Sequence, residues 1–131
     1  MNEETLTIQQ VAEATRLSEH TLRYYERIGL IHAITRAENG HRRYLPSDVG
    51  WIDFLNKLRA AGLSIRQMQE YAEYQREGDE TLAQRVEILK TLRCDVQARM
   101  ECLNEHMNLL NFKIGVYSEI IEASQQPISQ S

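Results

Sequence analysis

The 131 residues predict a mainly α-helical chain: a winged helix-turn-helix followed by one long coiled-coil helix. Three observations carry that prediction. Two helix starts follow each other with only Thr15-Arg16-Leu17 between the helices they open. A stretch without helical periodicity, Leu30 to Leu45, is centred on Glu38-Asn39-Gly40, a strong hairpin signal. Beyond Asp79 there is no glycine before Gly115 and no proline before Pro127, while apolar residues recur at alternating steps of three and four.

The elements follow in order. Thr7 with Gln10 forms a capping box that opens a first helix through about Ala14. Ser18 caps a second helix, which Gly29 ends as a left-handed residue past the last turn. The hairpin is expected to pair about 32–36 with 41–45 as a wing. After Pro46, Ser47 is expected to cap a third helix that turns Val49, Ile52, Leu55 and Leu58 inward and stops at Gly62. Ser64 with Gln67 opens a fourth helix that runs to about Glu77.

The long helix is expected over about 80–122. Its seam reads Leu82, Val86, Leu89, Val96, Met100, Leu103, Met107, Leu110, Ile114, Tyr117 and Ile121, with Arg93 in the seam beside Leu92. A helix of that span is roughly 60 Å long. It cannot bury such a stripe on a small head, so an identical chain is the simplest partner. The expected organisation is a winged helix-turn-helix head at 1–77, a dimerisation helix at 78–124 and a frayed tail at 125–131.

A net charge of −4 argues against a nucleic-acid partner until it is divided. Residues 16–66 hold nine bases and five acids, whereas residues 77–131 hold five bases and nine acids. Charges further apart than about 8 Å are largely screened at physiological salt, so the basic block acts locally. The N-terminus lacks the basic start and apolar core of a signal peptide, and no stretch is long and apolar enough for a membrane span. Two cysteines build no disulfide framework. A cytoplasmic protein with no membrane partner is expected.

The second helix leaves Thr21, Arg23, Tyr24 and Arg27 able to point outward while Leu22 and Ile28 meet Ile8 and Val11 of the first. Such a helix can read the major groove, with polar side chains on phosphates. The wing adds Arg36 before its turn and His41, Arg42, Arg43 and Tyr44 after it. These nine residues are the candidate contacts to double-stranded DNA.

Thr21-Leu22-Arg23-Tyr24-Tyr25-Glu26, Ile28-Gly29-Leu30, Asn39-Gly40 with Arg42 and Tyr44, and then Asp48 closely resemble the MerR family of bacterial transcription regulators. The resemblance covers the chain to about residue 77 and implies that the long helix forms an antiparallel coiled coil. It also implies a homodimer on a promoter whose spacer is too long. Distorting that spacer lets RNA polymerase, an indirect partner, read both promoter elements.

The run from Asp48 through Ile65, with Glu77-Gly78-Asp79, looks most like the aldehyde- and thiol-stress branch, the AdhR/NmlR type, which implies a role in stress response. That branch carries a cysteine in its third helix where this chain has Lys57. Metal-sensing relatives use a cysteine at the start of the dimer helix and a pair beyond it, which this chain lacks. An iron–sulfur site needs about four clustered cysteines. No cofactor and no resident metal are expected. Lys57, Cys94 and Cys102 remain the candidates for effector or redox chemistry. The cysteines, eight residues apart on one helix, cannot bond within a chain.

No phosphate-cradling loop or nucleophile constellation points to an enzyme. Two rival binding readings stay open: an architectural or excisionase-like winged-helix protein, and a coiled-coil adaptor whose basic block meets an acidic partner.

Overall fold

The computed structural model describes residues 5–32 and 35–125; for Thr35 and Arg36 it describes the backbone alone. Helices α1 (Ile8–Thr15) and α2 (Glu19–Arg27) precede strands β1 (Thr35–Arg36) and β2 (Arg42–Arg43); α3 (Pro46–Ala61), α4 (Ile65–Glu77) and α5 (Leu82–Gln125) follow. Two compact units result, residues 1–92 and 93–131.

Helix starts follow the cap chemistry of the sequence. Thr7 Oγ1 accepts from the Gln10 N–H at 3.2 Å, and Gln10 Oε1 accepts from the Thr7 N–H at 2.9 Å. Ser64 and Gln67 repeat this reciprocal box at 3.1 and 3.0 Å. Ser18 Oγ accepts from the Thr21 N–H at 3.0 Å. The third helix begins two residues earlier than expected, with Leu45 and not a serine at its cap position. Pro46 occupies the first helical position, where its fixed φ suits the helix and its missing N–H costs nothing. The Asp48 carboxylate then accepts from the Leu45 N–H at 2.8 Å.

Positive φ falls where chains must turn. Gly29 (φ +84) and Gly62 (φ +115) leave their helices left-handed, and Arg16 (φ 60) makes the tight joint between α1 and α2. Gly78 (φ 90, ψ −159) sits in a region that only glycine occupies readily. A single 3-10 turn, Asp79–Thr81, separates it from α5.

Among the described residues the wing is smaller than the sequence predicts. Thr35 pairs with Arg43 and Arg36 with Arg42, while residues 33–34 of the expected strand lie outside the described residues. The turn closes through Gly40 N–H to Ala37 O and Ala37 N–H to His41 O, both 2.9 Å, with Gly40 at φ +82. A third segment joins it. Leu6 and Tyr44 exchange backbone bonds of 2.8 and 2.9 Å, so the chain start flanks the wing.

The core of the first unit lies among α1–α4. Val11, Leu22, Tyr25, Tyr44, Ile52, Leu55 and Met68 are completely buried. Leu58 is buried as expected, whereas Val49 is half-buried. The first turns of α5 belong to this unit, with Arg85 and Leu92 buried. That assignment explains the seam interruption beside Arg93: Leu92 is used on the head.

From Arg93 onward the second unit is helix as far as Gln125. Its seam residues Met100, Leu103, Met107, Leu110, Ile114, Tyr117 and Ile121 are all exposed. Residues 126–131, most of the expected tail, lie outside the described residues, while Gln125 closes the helix. No helix among the described residues is long and apolar enough to cross a membrane.

Candidate nucleic-acid interface

Helix α2 is held from behind and left open in front. Leu22 and Tyr25 are buried, and the Tyr25 hydroxyl accepts from Arg59 Nη1 at 2.9 Å. That bond gives Arg59 a structural task that its place on a basic face did not announce. Three successive carbonyls at the α2 exit accept from side chains of other helices. Gln69 Nε2 donates to Ile28 O at 3.0 Å, Arg76 Nη1 to Gly29 O at 2.8 Å, and Trp51 Nε1 to Leu30 O at 2.8 Å. Trp51 also stacks on Tyr71 with centroids 6.1 Å apart.

On the open side, Arg23 is about half exposed and meets Glu19 at 3.3 Å. A surface pair of this kind is worth about 0–1 kcal/mol, so exchange of the carboxylate for a phosphate costs little. Arg27 is exposed, and its guanidinium carbon lies 5.5 Å from the centroid of the half-buried Tyr24 ring. This cation–π contact orients both side chains. Thr21 is partly committed to the helix start, because its hydroxyl accepts from Ser18 Oγ at 2.9 Å.

The wing candidates divide by burial. His41 is exposed at the tip, where its N–H donates to Asn39 Oδ1 at 3.1 Å. Arg43 is half-buried on β2. The Arg36 side chain lies outside the described residues. Arg42 Nε reaches Glu26 Oε2 at 2.6 Å with both side chains about one-fifth exposed. This charge-assisted bond ties the wing to the second turn of α2.

Tyr44 differs from the other candidates in its burial. It is completely buried, and its hydroxyl has no hydrogen-bond partner among the described residues. Burial, assisted by the nearby Glu26 carboxylate, pushes its phenol above its ordinary value. Tyr44 follows β2 at the position that pairs with Leu6, and its ring is part of the core.

The candidates for effector chemistry are dispersed. Lys57 is mostly exposed and pairs with Asp53 at 2.9 Å, and an exposed ammonium lacks the burial that would make it a nucleophile. Cys94 and Cys102 are both exposed. The Cys102 sulfur lies 3.8 Å from His106 Nε2, one helical turn on. Among the described residues no three metal-ligating side chains converge.

This geometry has close counterparts. Residues 6–75 match the family model described as MerR HTH family regulatory protein. The HTH-type transcriptional regulator AdhR of Bacillus subtilis is 45% identical over 84 residues, which are 64% of this chain and 60% of that protein. A crystal structure of a MerR family transcriptional regulator from Listeria monocytogenes superposes with a TM-score of 0.83 at 40% identity, covering 92% of this chain and 91% of that one. HiNmlR, described as a MerR family regulator lacking the sensor domain and bound to promoter DNA, gives a TM-score of 0.78 at 29% identity, covering 88% and 92%. With a family model that takes in both the reader helix and its wing, the chain belongs to the MerR family and is a DNA-binding regulator of transcription.

Proposed function

We propose that the protein acts in the cytoplasm as a homodimer on a promoter with an overlong spacer. Residues 1–77 serve as the reader and 78–124 as the dimerisation helix. Two observations carry this reading, the exposed seam of α5 and the capped α2 with its exposed arginines. Two heads joined through the seam engage two half-sites. Holding both on one side of the duplex bends and untwists the DNA between them, at a cost of about 1–6 kcal/mol that the paired contacts offset. RNA polymerase then meets promoter elements brought into register. HiNmlR, bound to promoter DNA and without a sensor domain, is a precedent of similar length.

Arg23, Tyr24, Arg27, His41 and Arg43 make the direct contacts in this reading. Arg42 contributes through the same wing while Glu26 sets its direction. Arg23→Ala is expected to cost at least about 1 kcal/mol of operator binding and to reduce the salt dependence by about one phosphate contact. Binding isotherms at several salt concentrations measure both. Unchanged affinity with an unchanged slope would remove α2 from the interface. In vitro transcription separates this reading from a purely architectural protein, which binds and bends without altering initiation.

Cys94→Ser with Cys102→Ser is expected to leave operator affinity and transcription unaltered before and after oxidant or aldehyde. Both thiols are exposed, and neither belongs to the reader. A response that disappears in the double variant would assign them a sensing role.

A further inference from the structure

The last turn of α4 carries two adjacent residues that grip different elements. Arg76 reaches back to the α2 exit, where its Nη1 donates to Gly29 O at 2.8 Å. Gln75 reaches forward, its Oε1 accepting from Arg85 Nη1 of α5 at 2.8 Å. Arg85 is only 8% exposed. Its other bonds go to neutral oxygens, Gly78 O at 2.8 Å and Thr81 Oγ1 at 3.3 Å. The Gly78 carbonyl also accepts from the Thr81 hydroxyl at 2.8 Å and the Thr81 N–H at 3.1 Å. These bonds tie the last turn of α4 to the first turns of α5 through a buried cation and a glycine whose backbone conformation other residues resist.

We propose that this turn couples the reader to the dimer helix, with Gln75 and Arg76 as positioning residues that fix the direction of α2 relative to the first turns of α5. The inference rests on the promoter-distorting reading above, because the direction of α2 against the first turns of α5, the helix that carries the seam, bears on how a bound dimer strains the spacer. Neither residue is a DNA contact in that reading. Loss of their bonds loosens the angle without removing the groups that touch DNA. Distortion therefore suffers more than affinity.

Two measurements on the full chain test this. In the first, Arg76→Met and Gln75→Leu are compared with the unaltered protein on promoters carrying the natural spacer and shortened ones. Operator affinity is expected to stay within about threefold, while transcription on the natural spacer falls by about tenfold. Arg76→Lys, which keeps a donor for Gly29 O, is expected to recover most of that loss. Transcription at the unaltered level in Arg76→Met overturns the proposal, as does an equal fall in affinity and transcription. If the unaltered protein shows no dependence on spacer length, the promoter reading itself fails.

The second measurement does not depend on that reading. Spin labels at His20 of α2 and Lys90 of α5 are placed on one protomer, with both natural cysteines replaced by serine and an excess of unlabelled chain. The distance distribution is expected to be narrow and to broaden in the double variant Gln75→Leu, Arg76→Met. An unchanged width overturns the coupling role, whatever the transcription result.

Discussion

Leu103→Asp combined with Leu110→Asp should make the protein monomeric and weaken operator binding by about 10²–10⁴-fold, the gain ordinarily supplied by joining two binding heads. Both leucines stand in the seam, 65% and 56% exposed. Burial in a dimer is worth about 1.5–3 kcal/mol for each such side chain. Each substitution enters a symmetric interface twice, and an unpaired carboxylate there loses its water with nothing in exchange. The head should melt at its usual temperature, since both positions lie in the second compact unit. Phe112→Asp is the control. That ring is 65% exposed but lies off the seam, so the dimer should survive its loss. Sedimentation and gel-shift titration read the two effects. Dissociation by Phe112→Asp as well, or a dimer that survives both seam aspartates, would place the interface elsewhere.

The seam is compatible with the antiparallel orientation that the family resemblance implies. Laid antiparallel in full overlap, it pairs Met100 with Leu103, Val96 with Met107, Arg93 with Leu110, Leu89 with Ile114, Val86 with Tyr117 and Leu82 with Ile121. Every pair joins positions of opposite heptad type, as antiparallel packing requires. The dyad then falls between Glu101 and Cys102. The two Cys102 sites sit nearly level along the axis, whereas the two Cys94 sites lie about 22 Å apart along it. A parallel dimer would make both separations axially equal. Labelling each natural cysteine alone, with the other replaced by serine, decides between the two.

Local chemistry made much of this fold legible in the sequence. Thr7, Ser18 and Ser64 each offer a side-chain oxygen to an orphan helix N–H, and Gly29 and Gly62 each supply a conformation that other residues resist. Such signals lie within a few residues of what they determine. The start of α3 was misplaced because two local signals competed. Pro46 with Asp48 satisfies the first turn better than a serine at position 47. What stayed hidden was long-range. The pairing of Leu6 with Tyr44 joins positions 38 apart, and the bond of Arg59 to Tyr25 joins positions 34 apart. Neither has a sequence signature, because an exposed arginine and a packed one look alike until the helices are assembled. Of the candidate interface, Arg23, Arg27 and His41 stand exposed as expected. Arg42 is instead drawn to Glu26, and Tyr44 is lost to the core.

Tyr44 allows the sharpest separation of packing from recognition. Tyr44→Ala is expected to destabilise the head by about 3–5 kcal/mol, the usual cost of deleting a large buried ring. Tyr44→Phe should do the reverse, raising stability by up to about 1 kcal/mol, because a buried hydroxyl without a partner is a net cost that phenylalanine removes. Operator affinity of Tyr44→Phe should equal that of the unaltered protein. The pH dependence has a definite sign. Burial raises the folded-state pKa of Tyr44 above its ordinary 10.0, and burial raises that of Tyr71 as well. The unfolded chain therefore ionises first. The stabilisation is fully present below pH 10 and is lost as pH climbs from there through the folded-state values. Melting temperatures taken across that range should fall less steeply for Tyr44→Phe. If Tyr44→Phe instead lost operator affinity as Arg23→Ala is expected to, the hydroxyl would belong to the DNA interface, and the inward placement of this ring would be wrong.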